Sequence, residues 1–121
     1  MPTHVPPSES SAAQISELGN LTLRSERDGD AHVLTLSGEL DLVTTPEVEK
    51  QLRIVEAGDA DAIVIDLSDV EFIDSTGLRL LIQAEQRSRW EPGRIALKRP
   101  CERVMRVFTI AGIDELLPFV D

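Results

Sequence analysis

The chain has 121 residues, of which 41% are hydrophobic and 3% aromatic, and it carries a formal net charge of −10 at pH 7. This length fits one domain with an aliphatic core, and the negative charge argues against nucleic acid or an anionic membrane as partner, because both require clustered lysine and arginine. Cys101 is the only cysteine, and His4 and His32 are the only histidines, so we expect neither a disulfide nor a metal site.

Residues 1–17 are rich in proline and serine, which predicts a flexible tail before a folded domain at residues 18–121. The N-terminus lacks the basic and apolar segments of a signal peptide, and no apolar run reaches the roughly 18 residues of a membrane helix. We therefore expect a cytoplasmic protein without a membrane partner.

The domain begins with a predicted hairpin. Residues 21–25 and 32–36 alternate apolar and polar side chains, which predicts two antiparallel strands joined by a turn at residues 28–30. The run S-G-E-L-D at residues 37–41 interrupts this alternation and predicts the end of the second strand.

A helix is predicted next. Pro46 suits the first helical position, which makes Thr45 the expected N-cap. Thr44 with Glu47 also matches a capping box one residue earlier, so both starts stay open. Gly58 is expected to stop the helix.

Strands and helices alternate in the second half. Residues 62–67 are a short apolar run, which predicts a central strand that is covered on both faces and followed by a turn after Asp66. A helix is predicted to follow Ser75, and Trp90 is expected to pack over its end.

After a turn at residues 92–93, residues 94–98 predict another strand, and Pro100 begins a third helix that Gly112 caps. Residues 119–120 predict a brief edge strand. The order is β-β-α-β-α-β-α with a brief terminal element. This is an α/β fold in which helices pack on a mixed sheet of four to five strands.

Acidic side chains after the predicted strands allow one metal-dependent alternative, in which Asp66 accepts a phosphoryl group near Lys98, as in two-component receiver domains. That alternative needs an acidic pair after the first strand, whereas residues 26–28 lie at a hairpin turn. A catalytic role for Ser75 needs a paired base, and nothing in the sequence pairs His32 with it. We expect no enzyme, no metal and no cofactor.

The tetrapeptide D-S-T-G at residues 74–77 stands where the chain turns from strand to helix. Taken alone it is a good helix N-terminus, because Asp, Ser and Thr residues all cap helices and the glycine eases the turn. The hydroxyl of Ser75 is then expected to face solvent beside free backbone N–H groups.

Three separated motifs resemble one known family. Residues 64–78 resemble the signature of STAS domains, and more narrowly that of bacterial anti-sigma factor antagonists, while residues 37–41 match a second marker of this family. The pattern of the family's C-terminal helix is matched by Pro100, Val104, Phe108, Gly112 and Ile113. The resemblance covers about residues 18–121.

The resemblance implies a binding module that contacts an anti-sigma factor with serine kinase activity and thereby releases a sigma factor. The kinase is expected to phosphorylate Ser75 and so to abolish binding, and a metal-dependent Ser/Thr phosphatase reverses the modification. The implied partner-binding residues are Asp41, Asp74, Ser75, Thr76 and Gly77. STAS modules of larger signalling assemblies share these motifs, and the sequence leaves open whether Ser75 or Thr76 is the acceptor.

Overall fold

The computed structural model describes residues 13–90 and 94–121. Within these ranges it contains six strands and three helices. The strands are β1 (Gln14–Leu18), β2 (Leu21–Asp28), β3 (Ala31–Leu40), β4 (Ala62–Ile73), β5 (Ile95–Lys98) and β6 (Phe119–Val120). The helices are α1 (Thr45–Glu56), α2 (Ser75–Ser88) and α3 (Glu102–Ala111). Among the described residues, no helix is long and apolar enough to cross a membrane.

The strands form one mixed sheet in the order β1-β2-β3-β4-β5-β6. The first three strands pair antiparallel, and β3 to β6 pair parallel. The predicted α/β class and mixed sheet are confirmed, with six strands in the described ranges instead of four to five. Because the parallel strands advance in one direction and such crossovers are right-handed, all three helices lie on the same face of the sheet.

The core lies between the helices and that face. Ile63, Ile65 and Leu67 of β4 are at most 2% exposed, whereas Val64 and Asp66 between them are only partly buried. The prediction that β4 is covered on both faces is therefore wrong. The alternation escapes notice in the sequence because Val64 is as apolar as its buried neighbours.

β3 and β4 both run further than predicted. β3 continues into residues 37–41 as far as Leu40, and β4 passes Asp66 without the predicted turn and ends at Ile73. The two strands pair in parallel until Leu40 faces Ile73, with register shifts within residues 35–39. Such irregularities disturb the alternation of apolar and polar side chains. The sequence pattern therefore does not predict the later parts of these strands, although backbone hydrogen bonds continue there.

β1 occupies part of the predicted tail. Residues 14–17 pair antiparallel with β2, and the connection between the strands contains Gly19 at a φ of 64°. An edge strand is held by backbone hydrogen bonds to one neighbour and needs few apolar side chains, which explains why composition indicated a tail there. Residues 1–12, the rest of the predicted tail, lie outside the described residues.

The helix boundaries lie within two residues of the predicted ones, and the largest difference is at α3, which begins at Glu102 instead of Pro100. α1 begins at Thr45 after Thr44 as its N-cap, which is the earlier of the two predicted starts, although the Thr44 side chain makes no capping hydrogen bond. Gly112 ends α3 in the left-handed conformation at a φ of 76°. The predicted Gly112 cap is thus confirmed, and the N–H of Ile113 then donates to the carbonyl oxygen of Phe108 at 3.1 Å.

Two predictions concern the end of α2. Trp90 is 91% exposed, so the expected packing over the helix terminus is wrong. The turn predicted at residues 92–93 lies outside the described residues.

Gly38 lies near the irregular end of β3, against the connection between β1 and β2. Its φ is 114°, and an added Cβ would lie 2.1 Å from the carbonyl oxygen of Asn20. The N–H of Glu39 donates to the same oxygen at 2.8 Å. Close backbone approach therefore requires glycine at this position.

We expect Gly38→Ala to lower the free energy of unfolding by about 2–4 kcal/mol, because backbone strain and overpacking act together. Gly29→Ala is the matched control, since Gly29 also has a positive φ of 62° but no neighbouring atom within 4 Å of the added Cβ. Strain alone should cost this control about 1–2 kcal/mol. Urea denaturation measures both losses, and equal values would contradict the packing role of Gly38.

Candidate functional site

Asp74 stands between the end of β4 and the start of α2 and caps this helix. Its backbone is extended, and its Oδ1 accepts the N–H groups of Thr76 at 2.9 Å and Gly77 at 3.1 Å. The same oxygen accepts the hydroxyl of Thr76. The predicted helix cap is confirmed, and it involves the side chains of two motif residues.

This cap changes the expected surroundings of Ser75. The first-turn N–H groups of Thr76 and Gly77 already have an acceptor, and the N–H of Asp74 donates to the carbonyl oxygen of Leu40 at 3.2 Å. The expectation that free N–H groups lie beside the Ser75 hydroxyl is therefore wrong for these three donors.

Ser75 and Thr76 present their hydroxyls differently. Ser75 is exposed and its side chain makes no hydrogen bond within the described ranges. Thr76 is only partly exposed, and its hydroxyl is held by Asp74. The accessible hydroxyl of the motif is therefore that of Ser75.

Within the part of the chain that the structure describes, no base is placed to activate Ser75. The ring of His32 is engaged on the sheet, where its Nε2 lies 2.7 Å from the hydroxyl oxygen of Ser25. The catalytic role considered for Ser75 requires such a base, and the described residues do not place His32 beside it.

The second carboxylate oxygen of Asp74 holds the loop between β3 and α1. Oδ2 accepts the N–H of Leu42 at 3.1 Å. Because the other oxygen caps α2, one side chain joins two segments that are 32 residues apart in sequence. The motifs at residues 37–41 and 74–77 therefore meet through Asp74.

Asp41 organises the same loop from its other end. Its Oδ1 accepts the N–H groups of Val43 at 3.0 Å and Thr44 at 3.1 Å. The Thr44 hydroxyl accepts the N–H of Asp41 and donates to the carbonyl oxygen of Glu39, both at 3.0 Å. One oxygen of Asp41 thus maintains the turn, which leaves the other for contacts outside the loop.

The loop exposes two apolar side chains that the sequence reasoning did not select. Leu42 is 69% exposed and Val43 is 77% exposed. The sequence contains a signal for their exposure, because both are aliphatic residues that lie between a strand and a helix and belong to the apolar pattern of neither element. Apolar exposure of this kind beside a candidate site is typical of a protein-binding surface.

Gly77 allows the start of α2 to approach the ends of β3 and β4 closely. It is buried, and an added Cβ would lie 2.7 Å from Cγ1 of Ile73 and 3.0 Å from the carbonyl oxygen of Leu40. The absence of a side chain allows α2 to start directly against the ends of β3 and β4. Among the predicted partner-binding residues, Gly77 therefore acts by positioning the others.

A groove of about 490 Å³ extends from Ser75 along α2 towards the end of α3. Its apolar wall includes Leu78, Ile82 and Ile113, and Arg79 lines it as well. Leu78 and Ile82 are only partly buried, so part of the apolar surface of α2 is open to this groove. The groove and the exposed loop are the two apolar surfaces that border Ser75 and Asp74.

The remaining acidic residues do not gather at this site. Asp66 lies within β4, where its Oδ1 accepts the N–H of Ser68 at 2.9 Å and its Oδ2 lies 3.9 Å from the Lys98 Nζ. The pairing with Lys98 agrees with the receiver alternative, but Asp66 does not stand at the end of a strand, as that alternative requires. In the ranges 13–90 and 94–121 no three His, Cys, Asp or Glu residues are grouped to hold a metal ion.

The hydrogen bonds of Asp74 also determine its ionisation. Burial alone would raise the pKa of this carboxyl, but the hydrogen bonds from the Thr76 hydroxyl and from the N–H groups of Gly77, Thr76 and Leu42 outweigh burial and lower the pKa. The site therefore holds a carboxylate at neutral pH.

Because the pKa of Asp74 is lower in the folded state, its hydrogen bonds stabilise the fold above the pKa of an unfolded aspartate, about 3.9, and this stabilisation is lost as pH falls through the folded-state pKa. We expect the free energy of unfolding to fall more steeply below about pH 4 in the wild type than in Asp74→Asn, which does not titrate. Urea denaturation across pH measures this, with Asp69→Asn at an exposed position of β4 as control. Parallel curves for wild type and Asp74→Asn would contradict the role of Asp74.

Comparisons with known proteins identify the family of this chain. The sequence profile of a family described as Mlab, STAS domain, matches residues 23–118. The anti-sigma-B factor antagonist of Listeria monocytogenes serovar 1/2a is 30% identical over 92 residues, which cover 76% of this chain and 81% of that protein. The protein of the same name from Staphylococcus epidermidis is 28% identical over 98 residues, or 81% of this chain and 91% of the relative.

A solved structure is similar as well. The crystal structure of an anti-sigma factor antagonist from Mycobacterium paratuberculosis aligns with a TM-score of 0.70 and 30% identity, covering 82% of this chain and 84% of that chain. The family profile spans most of the sequence and includes both motifs that meet at Asp74. The chain belongs to the STAS domain family.

Proposed function

We propose that this protein is an anti-sigma factor antagonist, which binds an anti-sigma factor with serine kinase activity and so releases a sigma factor in the cytoplasm. The observation that carries the proposal is the exposed hydroxyl of Ser75, which makes no hydrogen bond with the described residues and lies beside the loop that presents Leu42 and Val43. The relatives named anti-sigma-B factor antagonist, which align over most of their length, support it. The function needs no cofactor and no contact with nucleic acid.

Phosphorylation of Ser75 is the proposed switch. The bound kinase transfers the γ-phosphoryl group of ATP: the bond from phosphorus to the ADP oxygen breaks, a bond to Ser75 Oγ forms, and the hydroxyl proton passes to a base of the kinase. A metal-dependent Ser/Thr phosphatase restores the hydroxyl, since water attacks the phosphorus and inorganic phosphate leaves.

The charge of the phosphate explains how the switch acts. It adds about −1.5 to −2 charges next to the carboxylate of Asp74. At an interface formed around a neutral hydroxyl, an uncompensated buried charge costs on the order of 3–5 kcal/mol, which weakens the affinity by roughly 10²–10³-fold or more. The cap of α2 uses Asp74 and not the Ser75 hydroxyl, so phosphorylation leaves the cap in place.

We expect Ser75→Asp to weaken binding to the anti-sigma partner by roughly 10²-fold, because it places one charge where the interface accepts a hydroxyl. Isothermal titration calorimetry measures the affinity. Ser75→Ala should bind as the wild type does and resist phosphorylation by the partner in the presence of ATP.

Thr76→Ala is the control for the acceptor, since the Thr76 hydroxyl is bonded to Asp74, and mass spectrometry should still locate a phosphate on residue 75. Wild-type affinity for Ser75→Asp would exclude the charge mechanism. A phosphate found on Thr76 in the wild type would overturn the choice of acceptor.

Asp41 is proposed to contact the partner through the carboxylate oxygen that the turn does not use. Asp41→Asn keeps an acceptor for the N–H groups of Val43 and Thr44 and removes the charge. We expect it to weaken binding about tenfold, as loss of a charged hydrogen bond does, at an unchanged melting temperature. If Asp41→Asn binds normally and only Asp41→Ala loses affinity, Asp41 acts solely by holding the loop.

A further inference from the structure

The cap made by Asp74 leaves a phosphate on Ser75 without its expected donors. The N–H groups of Thr76 and Gly77 are taken by Oδ1 of Asp74, and the carboxylate itself is negative. A phosphate at this position therefore finds neither of these two N–H groups vacant, and a neighbouring cation would offset the added repulsion from Asp74.

Arg79 is placed to supply that cation. It lies four residues after Ser75 on α2, is exposed, and lines the same groove as Ser75. Within residues 13–90 and 94–121 it makes no ion pair or side-chain hydrogen bond. The two later arginines of this segment differ, since Arg87 pairs with Glu56 at 3.0 Å and Arg89 pairs with Glu85 at 3.2 Å.

We propose that Arg79 is the intramolecular partner of the phosphate on Ser75, an inference that rests on the proposed phosphorylation. Side chains four residues apart on a helix have Cβ atoms about 5–6 Å apart, and the pair is more favourable when the acidic member comes first. A guanidinium group binds phosphate oxygens in a bidentate manner that an ammonium group cannot match.

If this pair forms, phosphorylation has two effects on the binding surface. It adds negative charge at Ser75, and it also engages the guanidinium group that lines the groove next to it. A partner that contacts Arg79 in the unmodified protein must compete with the phosphate for that guanidinium group in the phosphorylated form.

The test uses the full chain with phosphoserine incorporated at position 75 during translation, so that no kinase is needed. Phosphorus NMR across pH measures the second pKa of the phosphate, about 6 in the absence of neighbours. A nearby cation favours the dianion, so Arg79→Gln should raise this pKa by roughly 0.2–0.4 unit relative to the wild type. Arg79→Lys keeps the charge without the bidentate geometry and should give a smaller rise.

Arg106→Gln is the matched control, since it removes the same charge from an exposed position of α3 that lines a different groove. It should leave the phosphate pKa unchanged. An equal pKa for wild type and Arg79→Gln, or equal rises for Arg79→Gln and Arg106→Gln, overturns the proposal. Circular dichroism melting of the unphosphorylated variants confirms that each is folded.

The two proposals fail in distinguishable ways. If no anti-sigma kinase phosphorylates Ser75, the proposed function is rejected while the NMR comparison still reports on the pair. If the kinase acts on Ser75 and the phosphate pKa does not depend on Arg79, only the pairing is wrong.

Discussion

The carboxylate of Asp74 is the interaction on which the site depends. One oxygen caps α2 through Thr76 and Gly77, and the other holds the N–H of Leu42. Two segments that are distant in sequence thereby become one surface with a defined relative position. Both oxygens accept hydrogen bonds, which lower the pKa of this carboxyl against the effect of burial, so the linkage is intact at neutral pH.

Sheet topology explains why these segments can meet. β3 and β4 are parallel neighbours whose last paired residues are Leu40 and Ile73, so the loops that follow them leave the same edge of the sheet. This is the edge where open α/β sheets place their binding sites. Gly77 completes the arrangement, since a Cβ there would lie 2.7 Å from the side chain of Ile73. The parallel pairing of β3 and β4 thus places the loop after Leu40 next to the loop after Ile73.

Different side chains stabilise the fold and carry the proposed switch: Asp74 caps the helix, and Ser75 is the proposed phosphorylation site. Asp74 already accepts the N–H groups of Thr76 and Gly77, and the cap does not use the Ser75 hydroxyl, so the capped helix does not depend on the state of Ser75. In the proposed switch, a charge added at Ser75 repels groups of the partner and attracts the guanidinium group of Arg79. The apolar surfaces on either side, the loop and the groove, provide contact area that is insensitive to that charge.

The sequence by itself determined the α/β order, a capped helix start at residues 74–77, the left-handed Gly112 and the placement of Ser75 at that helix start, because local periodicity and end signals encode them. Only the tertiary structure decided the full lengths of β3 and β4, the strand at residues 14–18, the exposure of Trp90, and the bond from Leu42 to Asp74. These features depend on backbone pairing and on contacts between segments distant in the chain, which single-segment patterns of side chains do not contain.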